Sequence, residues 1–90
     1  MNIRLDGKRA LVTGGNSGIG EAIALSLAEA GAQVAINYVA NPGAAQSLVQ
    51  RIQEQQGIAV SIKSDVADPG AVAKMFESID ANWGGIDILG

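Results

Sequence analysis

Neither cysteine nor histidine occurs anywhere in the 90 residues. Without cysteine there are no disulfides and no thiolate metal sites. Without histidine the chain lacks both the commonest metal ligand and the commonest general base. Aromatic residues are scarce too, with one Trp, one Tyr and one Phe. Basic residues are outnumbered, six Lys and Arg against nine Asp and Glu, for a net charge of −3. A chain that tracks nucleic-acid phosphates shows a basic stripe, often with stacking aromatics, so no nucleic-acid partner is expected. Arg4, Lys8 and Arg9 read as a solvated entry to the first strand. No apolar run approaches the length of a membrane span. The stretch Met1–Lys8 lacks the apolar core of a signal peptide. These absences point to a cytoplasmic protein with no metal site and no membrane partner.

What remains is an ordinary globular composition, 48% apolar and 17% charged. Its length allows one small domain, residues 1–90. Arg9-Ala10-Leu11-Val12-Thr13 is an apolar run that meets Gly14-Gly15, as a buried strand ending in a tight turn does. From Gly18 the period changes. Ile19, Ile23 and Leu27 recur every four residues beside Ala22 and Leu25, which predicts an apolar helix face closed by Gly31.

Val34-Ala35-Ile36 lacks alternation and predicts a strand covered on both faces, running on into Asn37-Tyr38. Asn41-Pro42 predicts a cap with proline in the first turn. Ala45, Leu48, Val49 and Ile52 form the stripe of a second helix, closed by Gly57. Ala59–Ser64 alternates apolar and polar, which suits a strand at or near a sheet edge. Asp68-Pro69 opens a third helix with Val72, Met75, Phe76 and Ile79 as its stripe and Gly84-Gly85 as its stop. Trp83 reads as a packing residue and Glu21 as solvent-facing. Ile86-Asp87-Ile88-Leu89 begins a fourth strand. Alternation at this spacing implies right-handed crossovers and a parallel sheet with helices on both faces.

The chemistry lies in Thr13-Gly14-Gly15-Asn16-Ser17-Gly18-Ile19-Gly20, between the first strand and the first helix. A diphosphate must be met without an intervening side chain. Glycines let the backbone approach, and free N–H groups at a helix start point at the anion. Gly14 allows the turn, Gly18 the close approach and Gly20 the packing of helix on strand. Asn16 and Ser17 offer side-chain donors to phosphate or ribose. No Gly-Lys-Ser/Thr closes the loop, so it is not the loop of an ATP-hydrolysing P-loop protein. A receiver-type domain would carry acids where Thr13-Gly14 stand.

The pattern Thr13-Gly14-x-x-x-Gly18-Ile19-Gly20 resembles the cofactor motif of the short-chain dehydrogenases/reductases. Leu5-Asp6-Gly7-Lys8, Asp65-Val66 and Gly85-Ile86-Asp87-Ile88-Leu89 resemble that family in the same order. Within it, Val34–Pro42 is most similar to glucose 1-dehydrogenase-like and 3-oxoacyl-reductase-like members. The resemblance implies a Rossmann-type three-layer α/β fold of strand order 3-2-1-4, truncated after the fourth strand (β-α-β-α-β-α-β). It implies hydride transfer between a nicotinamide cofactor and a carbonyl or alcohol. It also implies that Asp65 accepts from the adenine amino group while Val66 packs on the ring; the residues alone leave open that Asp65 only caps local backbone.

The family's Tyr, Lys, Ser and Asn of catalysis would lie beyond Gly90. Tyr38, the sole Tyr, has no Lys placed to make it the catalytic one. No catalytic residue is therefore assigned, and the chain alone is expected to be inactive. A non-catalytic half-domain that only holds nucleotide is the other reading. The exposed edge and face of such a truncated sheet predict self-association.

An acid at the end of the second strand would select NAD by bonding its ribose. Asn37-Tyr38-Val39-Ala40-Asn41 has none, which leaves room for the 2′-phosphate of NADP. Val39 stands where many NADP-using relatives carry Arg. The phosphate would rely on the neutral donors Ser17, Asn37, Tyr38 and Asn41, so the expected preference for NADP is modest and NAD is still admitted.

Overall fold

The computed structural model describes residues 4–14 and 18–90. Four strands, β1 (Arg9–Val12), β2 (Gln33–Tyr38), β3 (Ala59–Lys63) and β4 (Ile88–Leu89), alternate with helices α1 (Gly18–Glu29), α2 (Pro42–Glu54) and α3 (Pro69–Trp83). All pairings are parallel and the order is β3-β2-β1-β4. The register runs Arg9↔Gln33 to Val12↔Ile36, and Val34↔Ala59 to Tyr38↔Lys63.

Parity along each strand assigns the faces. Val12, Val34, Ile36 and Ala59 pack with Ala24, Leu48 and Ile52 beneath α1 and α2. Leu11 and Ala35 pack with Met75, Ile79 and Trp83 beneath α3. The three-layer arrangement anticipated from the sequence is thus present. The unalternating β2 lies inside the sheet, and the alternating β3 lies at its edge. Among the described residues, no helix is long and apolar enough to cross a membrane.

Helix α1 departs from its expected face. Ile19 is 80% exposed and Ile23 40%, whereas Gly20 and Ala24 are buried, with Leu27 and Ala28 partly so. A helix that lies close on a sheet needs small residues at the contact, and Gly20 and Ala24 supply them. The branched side chains fall on the neighbouring stripe. Helix α1 ends as expected. Gly31 takes φ +103°, its N–H donates to the Ala28 carbonyl (3.0 Å) and that of Ala32 to Leu27 (3.0 Å), a Schellman closure.

Helix α2 closes differently from expectation. Gln56, not Gly57, takes the left-handed turn at φ +69°, at a cost of about 1–2 kcal/mol. Gly57 is required for space instead: a Cβ there would stand 2.6 Å from Ile52 Cγ2. Asn41 also corrects the sequence reading. Its backbone is left-handed (φ 58°), so its side chain makes no capping bond, and its carbonyl accepts from Ala44 (3.1 Å) and Ala45 (3.3 Å). Side-chain capping needs an extended cap residue. Asp68 has that backbone and accepts from the Gly70 N–H at 3.0 Å. Glu21 is not merely solvent-facing; it forms an ion pair with Arg51 of α2.

Arg9 is likewise more than a solvated entry. Its backbone N–H (2.8 Å) and Nε (3.0 Å) donate to Asp87 Oδ2, and Nη1 donates to the Trp83 carbonyl (2.6 Å). This clamp fastens the α3–β4 connection to the start of β1. The Arg9 guanidinium, and after it the Arg9 backbone N–H, holds the Asp87 carboxyl below its ordinary value. The unfolded chain therefore binds the proton more readily. The clamp's contribution is present above about pH 4 and fades as pH falls through the lower folded value. Thermal melts from pH 7 to pH 2 check this: Asp87→Asn melts lower at pH 7 and loses less on acidification than the parent. Parallel pH curves for the two chains would contradict it.

Candidate functional site

The loop after β1 and the turns after β2 and β3 emerge at one edge, the carboxyl end of the parallel sheet. The chain runs outward from β1 to β2 and β3, then crosses back to β4 on the other side of β1. The crevice at such a switch point is where open α/β sheets take their ligands. Gly14 and α1 stand there.

Gly14 has φ +63°, a left-handed turn that glycine makes without strain. Gly18 opens α1. At both glycines a Cβ would meet no described residue within 4 Å apart from its chain neighbours and the adjoining helix backbone. Backbone left open in this way suits an anion, and a helix start offers N–H groups with no partner inside the helix and the positive end of the dipole. Gly20 is buried, as its packing role requires. Ile19 projects into solvent beside this helix start. Asn16 and Ser17 lie outside the described residues. Thr13, which opens the motif but has no role of its own in the sequence pattern, donates from both its N–H (2.9 Å) and Oγ1 (3.1 Å) to the Gly90 carbonyl and so ties the end of β1 to the end of β4.

On the β2 side the site residues separate. Tyr38, the last residue of β2, is half-buried. Asn37 is only 1% exposed and points to α3. Its Nδ2 donates to the Ser64 carbonyl (2.9 Å) and faces Met75 Sδ (3.6 Å). Both amide hydrogens are committed inside the protein, so Asn37 is not available as a phosphate donor. Strand parity turns Asn37 toward α3, and Tyr38 toward the face that carries α1 and α2.

Asp65 and Val66 follow β3. Asp65 Oδ1 accepts from the Ala67 N–H (2.9 Å), and its carbonyl accepts from Asp68 (3.0 Å). The carboxylate does cap local backbone, and that bond fixes its orientation. Val66 is 50% exposed beside it, an apolar surface where a flat ring can pack. Helix α2 starts near Tyr38 with no side-chain cap and no acid in its first turn. Among the described residues, no three Asp or Glu converge as a metal site would require.

Comparison with known proteins agrees with this geometry. The short chain dehydrogenase family profile matches residues 8–90. Versicolorin reductase stcU of Emericella nidulans is 46% identical over 88 residues, which are 98% of this chain and 33% of that protein. Elsinochrome reductase 1 of Elsinoe fawcettii is 47% identical over 85 residues, 94% of this chain and 32% of the relative. Among solved structures, a short chain dehydrogenase from Burkholderia cenocepacia in complex with NADP superposes with a TM-score of 0.90 at 49% identity. That match covers 96% of this chain and 35% of the other. The chain spans about a third of the length of these relatives.

Proposed function

The chain belongs to the short chain dehydrogenase family, and from that premise we propose that it grips the adenosine-diphosphate half of NADP. Residues 1–90 serve as the cofactor-binding portion of an oxidoreductase acting on a carbonyl or alcohol. The observation that carries this reading is the left-handed turn at Gly14 beside the start of α1 at Gly18, at the sheet's switch point, with open space among the described residues where a Cβ would stand on either glycine. The NADP held by the Burkholderia relative supports it.

Bound NADP supplies the hydride chemistry; this chain's residues bind and orient. The N–H groups at the start of α1, with the side chains of Asn16 and Ser17, meet the diphosphate. Asp65 accepts from the adenine amino group and Val66 packs on the ring. Tyr38, Asn41 and the uncapped start of α2 receive the 2′-phosphate. With neutral donors worth about 0.5–1.5 kcal/mol each, the preference for NADP over NAD is a few-fold to about tenfold.

Calorimetric titration of the folded chain with NADPH, NADH and 2′-phospho-ADP-ribose tests this. Heat is expected with all three, and NADPH should bind more tightly than NADH. No heat with any of them would overturn the assignment. The exposed Ile19 and Ile23 of α1, with Leu89 of β4, also support self-association along the β4 side. In sedimentation this appears as a concentration-dependent species larger than the monomer; a monomer at every concentration would refute it.

A further inference from the structure

An amide in the layer beneath α3 needs a reason. The neighbours on that face are Leu11, Ala35, Met75 and Ile79, and a leucine at position 37 would share the branched shape of Asn37, though larger, without burying a polar group. Burying an amide is costly unless its hydrogen bonds are made. Asn37 spends its donors on one point, the Ser64 carbonyl at 2.9 Å, with Met75 Sδ at 3.6 Å as a weak second contact.

Ser64 is the first residue beyond β3 and it ties three elements together. Its N–H donates to the Tyr38 carbonyl at 2.9 Å, continuing the ladder from β2. Its carbonyl accepts from Asn37 of β2. Its Oγ donates to the Ala71 carbonyl in the first turn of α3 at 3.1 Å. Ser64 itself is only 7% exposed. The next two residues, Asp65 and Val66, turn outward into solvent at the ligand edge. The buried node therefore decides where the exposed pair is aimed.

We infer that Asn37 and Ser64 are positioning residues that set Asp65 and Val66 for the adenine ring and tie that setting to Tyr38 at the other end of the adenosine site. This rests on the cofactor reading above and gives it an internal cause. Neither residue touches ligand. They act by fixing the direction of a carboxylate whose remaining freedom is limited by the Ala67 N–H. A fixed acceptor discriminates adenine, which offers an amino donor, from hypoxanthine, which presents an oxygen there. A carboxylate free to swing loses that discrimination.

The experiment compares binding of NADP and its hypoxanthine analogue to the folded parent chain, Asn37→Leu and Ser64→Ala. It is read as a ratio of dissociation constants, so a uniform loss of folded protein cancels. The parent is expected to favour adenine on the order of tenfold, the worth of one bond to a charged acceptor. Asn37→Leu should bring the ratio close to one. Ser64→Ala, which keeps the Asn37 bond and loses only the tether to Ala71, should lower it about two- to threefold. Amide hydrogen exchange supplies a ligand-free measure: in Asn37→Leu the Ala67 and Asp68 amides exchange faster while Leu11 and Ile36 keep their protection.

A parental ratio with both variants overturns the inference and leaves the cofactor reading intact. So does unchanged exchange at Ala67 and Asp68. A parent that binds NADP and its analogue equally removes the adenine role of Asp65 and the inference with it. A parent that binds neither overturns the cofactor reading, and the exchange result then decides alone whether the Asn37–Ser64 node holds the turn. If Asn37→Leu does not fold, the Ser64→Ala ratio decides.

Discussion

Tyr38→Asp is expected to bind NADP on the order of a hundredfold more weakly than the parent chain and NAD several-fold more tightly. Two unit charges about 4 Å apart repel by about 1 kcal/mol in water and about 4 kcal/mol at the effective dielectric of a protein surface. A phosphate monoester near neutral pH carries close to two charges, so a loss of about 3 kcal/mol is reasonable, or roughly a hundredfold. The same carboxylate gains a charge-assisted bond to the ribose hydroxyls of NAD, which have no phosphate to repel it. The position matters to one residue. Tyr38 ends β2 with its side chain on the side opposite Asn37. Asn37→Asp would put the charge under α3 against the Ser64 carbonyl and destabilise the fold without switching the cofactor. Titration of both variants with NADPH and NADH measures the two effects separately. An unchanged NADP preference in folded Tyr38→Asp would remove the second-strand end from the 2′-phosphate site.

Much of the fold is legible before any coordinates because the strands differ in kind. Val34-Ala35-Ile36 carries apolar residues on both parities, which only a strand covered on both faces tolerates, and β2 is such a strand. Ala59–Ser64 alternates, and β3 is the sheet edge. Helix α1 is where apolar period stops being informative. Its sequence is apolar at Ile19, Ile23, Ala24, Leu25, Leu27 and Ala28, so period alone cannot say which stripe is inward. Size decides it: the small Gly20 and Ala24 admit the sheet, and the branched pair is left outside. The end of α2 is illegible for a related reason. A glycine after a helix usually signals a left-handed turn, but Gly57 is small because Ile52 occupies the space.

The site divides in the same way. The left-handed turn at Gly14 and the burial of Gly20 are readable because each answers a local demand of backbone or space. Asn37 and Tyr38 look equivalent in sequence, and a single step of strand parity separates a buried amide under α3 from a half-buried ring on the opposite face. Arg9 and Asp87 meet across 78 positions, a distance over which no local pattern speaks. Ser64 reads as the polar member of an alternating strand; only the positions of β2 and α3 around it reveal its three bonds.

Ile36→Ala is the substitution expected to cost the most stability. Ile36 is fully buried between β1 and β3, in the cluster formed with Val12, Ala24, Leu48 and Ile52. Truncating such an isoleucine costs about 2–5 kcal/mol, transfer and cavity together, with the upper half expected where neighbours cannot collapse into the space. Here two neighbouring strands and two helices frame the site, so about 3–4 kcal/mol is expected. A chain of this length has a total stability of about 5–13 kcal/mol, and the loss is about a quarter of it or more. Ile19→Ala supplies the control, with the same change of side chain at a residue 80% exposed and an expected effect within about 0.5 kcal/mol. Urea unfolding of the three chains gives the difference directly. NADP at a hundred times its dissociation constant should return about 2.7 kcal/mol to any chain that binds it only when folded. The ligand should therefore restore most of what Ile36→Ala removes, because the lost methyl and methylene groups lie beneath the sheet while the glycine turn stands at its edge. Equal losses in the two alanine variants would mean that the α1 face is the reverse of the one described. Failure of NADP to raise the midpoint of Ile36→Ala, when it raises that of the parent, would mean that the core and the glycine turn are not separable.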